Sequence, residues 1–132
     1  MRRTPSSARP WKAGLAYALG VFAVGFLFGT VRVLLVEPAL GAAAAVAIEL
    51  PLMLGVSWLV ARAVLRRIHV ERLLAPRLAM AAVALLVLML LETGLGLAFG
   101  TSLEAQAEAY LTPRGLLTAI GQIGFALIAV LA

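Results

Sequence analysis

Two glutamates, Glu49 and Glu92, stand inside long apolar runs that hold no other charge. A carboxylate in mid-membrane costs about 2.5–3.5 kcal/mol even on a lenient insertion scale. Such a group therefore faces the protein interior, finds a partner or takes up a proton. A carboxyl that binds and releases a proton at that depth is what a proton- or cation-coupled carrier requires. Arg32 and Gln122 are the other polar side chains of this kind. At about 1.5 Å per helical residue, Glu49 lies roughly 15 Å, Glu92 roughly 12 Å, Gln122 roughly 10 Å and Arg32 roughly 6 Å from one common membrane face. Arg32 shares a helical face with Ala18, Gly25 and Gly29, Glu49 with Ala42 and Ala45, Glu92 with Gly96 and Gly100, and Gln122 with Thr118. Small residues mark where membrane helices pack closely. The four side chains are thus expected in one buried cluster, with Arg32 reaching at least one glutamate. One arginine cannot neutralise two buried carboxylates, so one of them is expected to carry a proton. A plainer reading stands beside this one. The cluster only sets helix register and partner choice, and Arg32 pairs with Glu37 at the interface.

Weaker candidates surround these four. Pro51, two residues after Glu49, removes a helical hydrogen bond and predicts a kink, a hinge beside a titrating group or simply a proline in a membrane helix. His69 stands alone in a basic loop and reads as solvated. Met53, Met80 and Met89 read as packing residues. Gly25 and Gly29 suit close packing within the chain or between two copies. Trp11, Trp58 and Tyr110 fit interfacial anchors. No nucleophile elbow, phosphate loop or paired-histidine motif occurs. The chain has no Cys, Asp or Asn and a single His, so no metal site and no cofactor are assigned and the reading is not an enzyme.

These residues must be positioned by helices. Of 132 residues, 64% are apolar and 13% charged, and the mean hydropathy is +1.07. An ordinary soluble domain has about 45–50% and about 25%, and so small a chain lacks the polar surface to cover such an excess. A soluble enzyme, a disordered tail and a disulfide scaffold are excluded. So is a nucleic-acid partner, despite the net charge of +5. Four apolar stretches stand out, near residues 13–35, 39–61, 78–100 and 115–132. Each approaches or exceeds the roughly 20 residues that cross a bilayer core of about 30 Å as a helix. In lipid a segment must satisfy its own backbone, which selects helices. The period-two alternation of a membrane barrel is absent.

Nine basic residues, Arg2, Arg3, Arg9, Lys12, Arg62, Arg66, Arg67, Arg72 and Arg77, precede the first span or separate the second from the third. Only Arg32 and Arg114 fall on the other side. The positive-inside rule then places both termini in the cytoplasm of a bacterial inner-membrane protein. The first run is too long for a cleaved signal peptide and lacks its cleavage site. Short connections predict an up-down four-helix bundle of all-α class, a single membrane domain. The first connection is expected as a tight turn over 32–38, with Pro38 opening the next helix. The second helix should continue into the central loop. There Arg62, Arg66, Arg67, Arg72 and Arg77 either bind anionic lipid headgroups or act only as the topology signal. Between the last spans, Thr101 to Glu104 resembles a capping box and predicts a short interfacial helix ending before Pro113. Residues 25–30 and 96–101 match at four of six positions, which suggests a hairpin repeat with two helix ends of the same kind.

The run from Gly29 through Arg32 to Glu37-Pro38, followed by Glu49-Leu-Pro51-Leu-Met53, resembles small uncharacterised multi-pass inner-membrane proteins of bacteria. That resemblance implies no activity. Length and span number are also similar to small multidrug-resistance transporters, whose essential glutamate stands in the first helix. The first span here has none, so no residue is carried over. The expectation is therefore a non-enzymatic structural or accessory membrane component whose partners are the bilayer and a second copy or another membrane protein. The alternative is a small proton- or cation-coupled carrier or channel using Glu49 and Glu92.

Overall fold

The computed structural model describes residues 8–132; Arg2 and Arg3 of the basic start lie outside the described residues. All regular structure described is helical: α1 (Ala8–Val31), a π-helical turn (Arg32–Val36), α2 (Glu37–Leu40), α3 (Ala42–Arg67), α4 (Leu74–Ala98), α5 (Leu103–Ala109) and α6 (Pro113–Leu131). Four continuous helices, Arg9–Leu40, Ala42–Arg67, Leu74–Ala98 and Pro113–Leu131, are long and apolar enough to cross a membrane. The outer faces carry Leu27, Leu35, Leu59, Leu90 and Ile123, all well exposed. Apolar faces of this extent match a lipid surround and not water.

The first connection is not where the sequence suggests. No tight turn forms over 32–38, because nothing there stops a helix except Pro38. Its ring would crowd the carbonyl four residues back. The helix instead widens into a π turn, with the Glu37 amide donating to the Arg32 carbonyl. The chain breaks only at Gly41, whose φ of +87° and ψ of 162° suit a residue without Cβ. Pro38 therefore lies in the tail of the first long helix and does not open the second. The other spans shift by a few residues, and α3 runs unbroken through Pro51 to Arg67.

The remaining ends have explicit chemistry. Gly100, at φ +87°, closes α4 with its amide on the Leu97 carbonyl and the Thr101 amide on the Gly96 carbonyl. That is a Schellman cap. Ser102, not Thr101, caps the predicted short helix by accepting from the Ala105 amide at 3.1 Å. Thr112 caps α6 by accepting from the Gly115 amide at 3.1 Å, with Pro113 in the first turn. The sequence echo is not a structural repeat. Thr30 lies in mid-helix, its hydroxyl on the Phe26 carbonyl, whereas Thr101 follows a helix end.

The core gathers toward the arginine-rich end. Ala13, Tyr17 and Ala18 of α1 meet Met80, Ala81 and Ala84 of α4, with Phe125 and Ala129 of α6. Tyr17 stacks on Phe125 at 4.3 Å between centroids and donates its hydroxyl to the Phe125 carbonyl at 2.7 Å. Alanines and Gly14 let α1 and α4 approach closely. A Cβ at Gly14 would sit 2.6 Å from the Met80 carbonyl oxygen, which is backbone and cannot swing aside. Gly14→Ala is expected to destabilise by about 1–3 kcal/mol, read from unfolding in mixed micelles. No loss would mean that α1 and α4 are not held at this distance.

Candidate functional site

The predicted polar cluster resolves into two. In the first, Arg32 of the π turn donates through Nη1 to Glu49 Oε2 of α3 at 2.6 Å. Its Nε lies 3.3 Å from Glu37 Oε1, without hydrogen-bond geometry. Both alternatives drawn for Arg32 are thus realised together. The π turn explains the second contact: hydrogen bonds from residue i+5 to residue i stack Glu37 over Arg32, whereas a regular α-helix would turn it away. The side chains of Arg32, Glu37 and Glu49 are only 24%, 21% and 15% exposed. One guanidinium stands between two carboxylates.

In the second cluster, Gln122 of α6 donates through its amide nitrogen to Glu92 Oε2 of α4 at 2.8 Å. The same nitrogen donates to the Tyr110 hydroxyl at 2.8 Å. Tyr110, read from the sequence as an interfacial anchor, is thereby a member of the site. Among the described residues Glu92 has no cationic partner; its one side-chain hydrogen bond is from the uncharged Gln122. The two clusters sit at one level, since a Cβ at Gly121 would touch Leu50. These two residues adjoin Gln122 and Glu49 in sequence. No hydrogen bond or ion pair among the described residues joins the clusters.

Gln106 of α5 was not singled out from the sequence. Its amide nitrogen donates to the carbonyls of Thr101 at 3.0 Å and Thr93 at 3.3 Å, and its side chain fills the space left by Gly96. α5 is thus fastened across the end of α4. Gly25 packs against Met53 inside the chain. Ser57, buried, donates to the Met53 carbonyl.

At the opposite end, Arg62, Arg66, Arg67 and Arg72 are exposed, and Arg62 lies 5.9 Å over the Trp58 ring. Arg77 differs from the four with which the sequence grouped it. It is 5% exposed and reaches the carbonyls of Val70 and Ala129, each at 3.4 Å. No group of metal-ligating side chains occurs among the described residues.

The chain matches no known protein family, no curated protein and no solved structure. Chemically the site offers two interhelical fasteners: an ion pair joining the first two spans, and the Gln122–Glu92 hydrogen bond joining the last two, with Tyr110 accepting from the same amide.

Proposed function

We propose that the protein is a non-enzymatic structural or accessory component of the bacterial inner membrane, a multi-pass up-down bundle with both termini in the cytoplasm. The observation that carries this reading is that each intramembrane carboxyl is held by a side chain from another helix: Glu49 by Arg32 and Glu92 by Gln122. A fastened side chain supplies register and helix pairing. The basic asymmetry between the two ends supports the orientation. Anionic headgroups at the cytoplasmic face and a second copy or another membrane protein are the partners this reading calls for.

One observation favours a second reading, a small proton- or cation-coupled carrier: among the described residues Glu92 is held by the uncharged Gln122 and forms no ion pair. Flux separates the two. The full chain in liposomes under a pH gradient, followed with a pH-sensitive dye, is expected to behave as empty liposomes do. Glu92→Gln is expected to keep the fold and change nothing. Proton entry above background that Glu92→Gln or Glu49→Gln abolishes would replace the structural reading with the carrier.

A further inference from the structure

At the arginine-rich end, a cleft of about 350 Å³ opens where the start of α4 meets the end of α6. It is lined by Arg72, Leu73, Leu74, Arg77, Val130 and Leu131. Two arginines and four aliphatic residues in its lining make it amphipathic. Neither Arg72 nor Arg77 has an acidic partner within ion-pair distance among the described residues. The two bonds of Arg77, at 3.4 Å each, are longer than the usual 2.7–3.2 Å or so, so its guanidinium keeps capacity for a stronger acceptor. α4 begins without a side-chain cap, which leaves its first amides turned toward the same end, where an anion is favoured. The carbonyl end of α6 opposes an anion there, and Arg77 offsets it by bonding Ala129.

We infer that this cleft binds one anionic phospholipid, with its phosphate on Arg72 and Arg77 and its chains against Leu73, Leu74, Val130 and Leu131. Charge complementarity selects the headgroup. The apolar wall, at the mouth of two membrane-crossing helices, selects a lipid over a free anion. Basic pockets between helices at the cytoplasmic face bind such headgroups. The inference rests on the membrane reading and is independent of what the polar clusters do.

Native mass spectrometry of the full chain in detergent tests it, with phosphatidylglycerol or phosphatidylcholine of matched chains as probes. One phosphatidylglycerol should be retained in preference to phosphatidylcholine. Arg72→Gln, at an exposed position, should weaken it about fivefold. Leu131→Glu, which brings to the cleft a charge like that of the headgroup, should weaken it further, and Arg114→Gln, at the other end of α6, should not change it. Equal retention of both lipids, equal losses for Arg114→Gln and Arg72→Gln, or displacement by millimolar inorganic phosphate would each overturn the proposal. A chain that stays monodisperse without detergent would instead defeat the membrane reading beneath it.

Discussion

Arg32→Leu is expected to destabilise the bundle by about 3 kcal/mol, the lower end for a buried pair, because removing one partner of this largely buried ion pair strands the other. Here Glu37 and Glu49 would both lose their cation, and Glu49 has no other fastening to the first helix among the described residues. The size of the loss is diagnostic. Interhelical hydrogen bonds in membranes average about 0.6 kcal/mol and reach about 1.7 kcal/mol, so a loss of several kcal/mol reports the stranded charge and not the lost bond. The double variant Arg32→Leu with Glu49→Leu should recover most of it, since apolar replacement of a whole buried pair is often neutral. Reversible unfolding in mixed micelles measures both. If the double variant is as unstable as the single one, Arg32 and Glu49 are not an energetic unit.

Gly115→Ala is the second large effect. A Cβ there would overlap the Ala109 carbonyl oxygen and lie 2.5 Å from Tyr110 Cα. Both are backbone atoms, so no rotamer change relieves the overlap. The junction between α5 and α6 must open, drawing Tyr110 away from Gln122. A loss of about 3 kcal/mol is expected, at the upper end of ordinary overpacking. A thermodynamic cycle with Tyr110→Phe locates it. Tyr110→Phe alone should cost roughly 0.6–1.7 kcal/mol, but almost nothing in the Gly115→Ala background. Simple additivity would show that the Tyr110 contact survives the added methyl.

The four long helices were legible because apolar runs of this length, with at most one charge each, leave a chain in lipid no other structure. Their ends were less so. Pro38 is a strong local signal and drew the expected turn toward itself, yet a helix can absorb it by one wider turn. Gly41, the true break, sits among Ala39, Ala42, Ala43 and Ala44 with nothing to distinguish it in sequence. The four intramembrane polar residues could be placed at one depth by counting along each helix. Which of them touch depends on how the helices are rotated and paired, and periodicity carries no such information. Hence the single expected cluster became two. Tyr110 was read only as an interfacial anchor, although its hydroxyl accepts from Gln122. Arg77 differs from its four basic neighbours for the same reason: only packing against α6 removes it from the surface.

The first long helix, Arg9–Leu40, has 32 residues and at about 1.5 Å each spans roughly 48 Å. It cannot stand upright with all its apolar length in hydrocarbon; it must lean or protrude. A leaning helix responds to its surroundings, standing straighter in a thicker bilayer and lying flatter in a thinner one. Gly41 alone separates its end from α3, leaving no slack to absorb that motion. Hydrophobic mismatch is thus delivered as torque to one glycine, a few turns from the Arg32–Glu49 pair.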